Sequence, residues 1–510
     1  MTAQEFLAIA HDSQLGQLDT ECPHPLTSRL SSLALDAPAE GVRALHQVDV
    51  QALAAFSARA ESLPPLAQAV GEVLAADGRI FLCGCGATGR LSLSLEFFCR
   101  DGLLPAAMSE RVIAFMAGGD VALIRAVEKF EDHPEYGARQ LEELGFREGD
   151  LLIASTEGGE TPWVIGATER AAELSSRRPF FLYCNPEALL RSAAARSRRV
   201  LDDPRIHSIN LAVGPMALSG STRMQASTVL MAAIGFAIMH RADPPQAAEE
   251  ARRLHDLVAG QDYAWLADFV VQEAGIVQRS EYVFYEPGPF GITVLTDTTE
   301  RSPTFSLLPF ESQSDRRQPA SWCHLLMPAA ADSREAWRRL LLRAPRPLEW
   351  PGLASTTGMK AVLAYDFSGA LPALRSSRTK KAMHHVLRIE GGPGRISLHL
   401  NALHHTLTFK AAGLVTHLIL KLLLNTHSTL LMGRLGRYED NVMTWVKPAN
   451  NKLIDRAIRY VSLLLERRTG RPPAYAAVCE ALFAVMETLP PGESVVLRTV
   501  ERMLTNGEPA

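Results

Sequence analysis

Short apolar runs alternate with helix-length stretches through the first half of the chain. A helical pattern runs from about residue 47 to Ala76, where an Asp-Gly pair at 77–78 punctuates it. RIFLCG (79–84) follows, and apolar runs of strand length recur at 112–116 (VIAFM), 151–155 (LLIAS), 179–184 (PFFLYC) and 208–213 (SINLAV). That alternation predicts a parallel, doubly wound sheet covered by helices on both faces. After Gly220 comes a long helix carrying Val229, Leu230, Ile234 and Ile238. Its apolar run, Val229 to Met239, is about 11 residues. That length suits a buried core helix and falls well below the ~20 residues needed to span a bilayer.

A weaker cycle begins near residue 282. YVFYE (282–286), GITVLT (291–296), HLLMP (324–328), AVLAYDF (361–367) and RISLHL (395–400) are its expected strands, and the repetition suggests a divergent internal duplication. Beyond Thr416 the chain is strongly helical to about 466, and RTGRPP (468–473) marks a turn into a small terminal helical segment. RAPRPLEWPG (343–352) reads as a surface loop, and GGPG (391–394) as a turn before RISLHL. The expected fold class is α/β, with two doubly wound parallel-sheet domains and a C-terminal helical segment. The expected division is an N-terminal extension at 1–46, a first domain at 47–270, a second, degenerate domain at 271–466 and the helical segment at 467–510.

A length of 510 residues agrees with two to three domains. Hydrophobic residues at 47% and charged residues at 21% predict a folded soluble protein. Fifty-two Lys and Arg against fifty-six Asp and Glu give a net charge of −4, which removes the broad basic field that nucleic-acid binding requires. The seven cysteines are odd in number and scattered, so no disulfide framework is expected. The N-terminus lacks a basic region followed by a continuous apolar stretch. A cytoplasmic location without membrane contact is the expectation.

Three loops could carry chemistry. GCGATGR (84–90) follows a strand and opens a helix, so the backbone at Gly86 and Gly89 could approach an anion while Thr88 and neighbouring amides hold a phosphate. A tight turn without a ligand explains the same residues, and the glycine spacing does not suit a dinucleotide. In STEGGETP (155–162), Thr156 and Thr161 could complete an anion cradle, but Glu157 and Glu160 place negative charge where a phosphate would be repelled. In LSGSTRM (218–224), Ser221 sits where it could bind a ligand or simply cap the next helix. The pairs His384–His385 and His404–His405 lack accompanying ligands at zinc spacing, so neither a metal nor another cofactor is expected.

GCGATGRLSLSLEFF, AGGDVALIRAVEKFED (117–132), GETPWVIGA (159–167), VGPMALSGSTRM (213–224) and NKLIDRAIRYV (451–461), in that order, resemble the sugar isomerase (SIS) domain family. The similarity is to its N-acetylmuramic acid 6-phosphate etherase and glucokinase regulatory protein branches. In the etherases the GSTRM loop runs straight into a Lys-Leu-x-Leu-Asn helix. Here KLLLN stands at 421–425, with a whole second module in between. That layout is similar to the regulatory protein, which has two SIS domains in one chain, and it implies a monomer with an intrachain pseudo-dimer.

The resemblance implies one site between the modules, binding a hexose phosphate at Gly86, Thr88, Gly89, Thr156, Thr161 and Ser221, with Lys421 supplied by the second module. Lys421 could otherwise be a surface helix lysine. The resemblance also makes Glu131 the base of an etherase-like reaction, or a sugar contact in a regulator. The structural alternative is a solvated helix face shared with Glu128 and Asp132. An etherase needs a second carboxylate as acid, but that family position aligns with Phe98. Glu96 is two residues earlier, about 200° around a helix. Losing the acid would lower the rate by ~10²–10⁴ without preventing binding. The reading that follows is a sugar-phosphate-binding regulator whose partner would be a sugar kinase. The alternative is an etherase-like lyase or amino-sugar phosphate isomerase using Glu131 as base.

Overall fold

The structure is a computed structural model and describes all residues except 11–13, 105–107, 128–129, 316, 491 and 506–510. Its ten named strands form two five-stranded sheets. The first contains β1 (Ile80–Gly84), β2 (Val112–Met116), β3 (Leu151–Ser155), β4 (Phe180–Tyr183) and β5 (His207–Asn210), all parallel, in the order β2-β1-β3-β4-β5. Every residue of β1 and β3 is buried, because helices cover both faces of the sheet. This explains their uninterrupted apolar sequences. β5 starts one residue earlier than expected, and Leu211 to Val213 lie beyond its end.

The chain passes from β1 to β2 on one side and returns to β3 on the other. Loops at the carboxyl ends of β1 and β3 therefore diverge and leave a crevice, the topological switch point where doubly wound sheets bind ligands. Those two loops are GCGATGR and STEGGETP.

The second sheet contains β6 (Tyr282–Glu286), β7 (Cys323–Leu325), β8 (His384–Gly392), β9 (Arg395–Leu400) and β10 (Leu403–Thr408), in the order β10-β9-β8-β6-β7. The α/β class stands, but this sheet is only partly parallel. β6 runs parallel to β7 and β8, whereas β8, β9 and β10 form an antiparallel meander. GITVLT is not a strand: it begins the helix Gly291–Phe305, buried along most of its length. A short apolar run has no periodicity that separates a buried strand from a buried helix. AVLAYDF is not a strand either. Met359–Leu363 is a helical turn, and the only ladder contact nearby is an isolated bridge between Met327 and Ser368. β8 went unread because Leu387 and Ile389 are buried while Arg388 and Glu390 are exposed, a one-sided pattern diluted by histidines and glycines.

Helix Gly413–Arg434 joins the modules. It packs against Leu30–Asp36, Pro38–Ala58, Gln225–Met239, Leu266–Gln278 and Gly291–Phe305. Among the described residues it is the one helix long and apolar enough to cross a membrane, yet it lies wholly inside the protein. A helix that is apolar all round requires such cover.

The segment at 343–352 is not a free surface loop. Leu348 and Trp350 are buried in the first module's core, and Arg343 pairs with Glu96 and Asp120. All seven cysteines are free thiols. Of the paired histidines, His384 stacks on Tyr282 and Phe284, and His385 bonds to Glu281 and Asn401.

Candidate functional site

The glycine loop is a tight turn between β1 and helix Ala87–Arg100. A Cβ on Gly84 would meet the Thr88 carbonyl carbon at 2.4 Å, and one on Gly89 would meet Met116 Cβ at 2.5 Å. Gly86, at φ +58°, has nothing within 4 Å of the Cβ position, so the approach to the helix N-terminus is open there. The Thr88 hydroxyl accepts from the Cys85 amide and donates to the Cys85 carbonyl, both at 2.9 Å. Its role is to close the turn. Any anion at this loop is met by backbone amides near Gly86, where the helix dipole favours negative charge.

The second loop repeats this internal bonding. The hydroxyls of Thr156 and Thr161 lie 3.1 Å apart, and the Gly159 amide donates to Thr156 at 3.3 Å. Glu160 does not oppose an anion as its charge suggested. It is buried between Arg196 and Lys452, each 2.5 Å away. Burial raises its pKa, but the two cations outweigh that and hold it down to about 2. With Glu131, Thr161 and Asn450, this ion triad lines a cavity of about 450 Å³.

Glu131 sits on the single turn Phe130–Asp132 and reaches the glycine loop. The Cys85 thiol donates to its Oε2 at 3.7 Å, and Asn450 Nδ2 donates to its Oε1 at 3.0 Å. Glu128, its proposed partner on a solvated face, lies outside the described residues. Cys85 is pushed well above its ordinary value by burial first and then by Glu131, with a further contribution from Glu157. Glu157 is itself pushed up to about 8 by burial, with Glu300 adding to the shift. Its Oε1 has no hydrogen-bond partner among the described residues.

Behind the loops lies a buried charge cluster built by both modules. Arg223 of the GSTRM turn pairs with Asp297 at 3.1 Å and donates to Thr429 at 2.9 Å. Lys421 does cross to the first module and is buried, which overturns the surface-lysine alternative. Its Nζ bonds the Arg223 carbonyl at 2.8 Å, Thr228 Oγ1 at 2.8 Å and Asn425 at 2.9 Å. Burial lowers its pKa to about 8. Lys421 therefore holds the GSTRM turn, with its protons committed inside the protein. Ser221, two residues before Arg223, is buried with a hydroxyl that has no partner among the described residues.

Several residues at this site escaped sequence reasoning. Glu300, from helix Gly291–Phe305, is raised by burial against the opposing pull of Arg90 and Lys421. Its Oε2 and Arg90 Nε are both buried without partners among the described residues. Buried polar atoms are normally satisfied, so such orphans mark a place for water or a ligand. Glu300 was hidden because GITVLT read as a strand. Asn450 precedes a motif already noted and Lys452 lies within it, but nothing in the sequence showed that it folds back onto Glu131.

Glu96 is not available as a second acid. Its carboxylate is held by Arg343 at 2.9 Å and Arg346 at 2.8 Å, with Arg100 at 3.4 Å. Phe98 is fully buried, its ring 4.5 Å from that of His417.

Residues 65–172 match the family model described as the glucokinase regulatory protein N-terminal SIS domain. The match lies within the first module, from just before β1 to helix Pro162–Leu174. The resemblance to the etherase branch holds as well. N-acetylmuramic acid 6-phosphate etherase of Rhodopirellula baltica is 32% identical over 216 residues, 42% of this chain and 66% of that protein. N-acetylmuramic acid 6-phosphate etherase 1 of Bacillus licheniformis is 32% identical over 220 residues, with the same coverage of 42% and 66%. The chain thus spans just under two thirds of these curated relatives. The solved C-terminal domain of glucosamine-fructose-6-phosphate aminotransferase from Francisella tularensis aligns over 75% of this chain and 96% of its own at 10% identity, with a TM-score of 0.33. A likeness that loose carries no weight beside the strand order itself. SIS-type, sugar-phosphate-related relationships are common to the family and curated matches.

Proposed function

We propose that the chain binds the phosphate ester of an amino sugar at the β1/β3 crevice and catalyses an etherase-like elimination on it. The observation that carries this reading is the placement of Glu131 against the glycine turn, where it accepts from the Cys85 thiol and from Asn450, with Glu157 buried in the neighbouring loop after β3. The names of the relatives support the reaction class. Glu131, held by Asn450, takes the proton from carbon. The C–O bond to lactate breaks with its electron pair on the departing oxygen, and Glu157 gives that oxygen a proton. Burial keeps Glu157 protonated below about pH 8, as a general acid requires. Water adds to the resulting double bond to complete the reaction.

The experiment is incubation with N-acetylmuramic acid 6-phosphate and assay for lactate. Release is expected, falling ~10²–10⁴-fold in either Glu131→Gln or Glu157→Gln. It should also decline above about pH 8 as Glu157 ionises. Absence of lactate from wild-type protein overturns the lyase reading.

A regulator that binds hexose phosphate without turnover is the second reading. Phe98, apolar where the family pattern has its second glutamate, favours it. Thermal stabilisation by fructose 6-phosphate with no product from either sugar is its expected signature. A sugar kinase partner belongs to this reading alone.

A further inference from the structure

A second cavity of about 880 Å³ lies away from the glycine loop, between helix Gly291–Phe305, the end of helix Gly413–Arg434, the segment 445–449 and the turn joining the last two helices. Its size falls within the range of about 300–1,000 Å³ typical of small-molecule sites. Leu307, Leu431, Met432, Val446, Leu489 and Val495 make it largely apolar. The walls are tied together across distant parts of the chain. Ser306 donates to the Trp445 carbonyl, and Ser494 donates to the Thr444 carbonyl.

Arg437 gives this cavity its chemistry. Its guanidinium lies 4.1 Å from the Trp445 ring centroid and 4.8 Å from that of Trp322, so two aromatic faces hold the cation in place. Among the described residues it has neither an ion pair nor a side-chain hydrogen bond. Arg301 and Glu493 on the wall differ in this respect. Arg301 is committed to Asp297, Glu273 and the Tyr285 hydroxyl, and Glu493 is paired with Arg498. Lys447, an exposed lining residue, adds a second cation that has no carboxylate partner among the described residues. A positioned planar fork beside an apolar chamber matches a carboxylate attached to an apolar body.

We propose that this cavity is a binding site for an acyl or aryl carboxylate, with Arg437 receiving the carboxylate and the leucine-rich wall the body. The C-terminal helices, which have no part in the sugar crevice, would then serve to close this second site.

The test uses full-length protein titrated calorimetrically with decanoate, and with decanol as a neutral probe of the same length. Decanoate should bind at least about tenfold more tightly than decanol. Arg437→Gln should weaken decanoate about 10–100-fold while leaving decanol unchanged, as expected for loss of a charged hydrogen bond. Equal binding of the two probes by wild-type protein, or no decanoate binding at millimolar concentration, overturns the proposal without reliance on any variant. So does an Arg437→Gln protein that keeps full decanoate affinity. A further readout is tryptophan fluorescence, which should respond to decanoate in wild-type protein and lose that response in Trp322→Phe/Trp445→Phe. A response that persists in the double variant places decanoate elsewhere and also overturns the proposal.

Discussion

Glu157 and Glu160 stand three positions apart in one loop, yet their surroundings drive their acidities in opposite directions. Glu160 is depressed to about 2 because Lys452 and Arg196 outweigh its burial. A depressed carboxylate stabilises the fold above its unfolded pKa of about 4.5 and loses that contribution as pH falls toward 2. Glu160→Gln should therefore be less stable than wild type at pH 6, by roughly 1–3 kcal/mol, with the gap closing below about pH 3 in denaturant titrations. Glu157 is the converse case: raised to about 8, it penalises folding increasingly as pH rises from about 4.5 toward 8. Glu157→Gln should gain stability relative to wild type at pH 8 and show little difference at pH 4, while losing lactate release at both. A stability gap that ignores pH would mean that the burial assigned to Glu157 is wrong. Neither behaviour was readable from the loop itself, because Lys452, some 290 positions later, and Arg196 supply the opposing charges.

At the scale of elements, the segment 343–352 acts as a clamp between modules. Arg343 spans Glu96 and Asp120, two carboxylates almost wholly inaccessible to water. Arg343→Met strands both in the interior. The expected cost is roughly 2–4 kcal/mol in equilibrium unfolding, limited by Arg100 and Arg346, which remain on Glu96. A change within 0.5 kcal/mol would show that the clamp carries no stability. The central strands of the first sheet were legible because complete burial leaves a continuous apolar run between turn residues, as at IFLCG and LLIAS. Helix Gly291–Phe305 and β8 were not: one begins with a strand-like run, and the other shows the core only alternate side chains.

Across the whole molecule, Lys421 joins the modules to the site. Its ammonium holds the carbonyls of the GSTRM turn, so its effect on a ligand is exerted through that turn. Lys421→Met should lower affinity for N-acetylmuramic acid 6-phosphate about tenfold, the worth of roughly one net hydrogen bond or slightly more, and speed hydrogen exchange at 221–228. Unchanged exchange with reduced affinity would instead make the lysine a direct ligand contact.

The order of local signals along the chain was enough to establish a doubly wound first module and its glycine turn, because turn chemistry and core burial act on neighbouring residues, while the candidacy of Glu131 came from the family resemblance. Which charges meet was settled elsewhere. Pairing of Glu160 with Lys452, burial of Glu300 near Arg90 and Lys421, occupation of Glu96 by Arg343 and commitment of Lys421 to the GSTRM turn all depend on side chains far apart in sequence being driven into one low-dielectric interior, where partner and distance decide acidity.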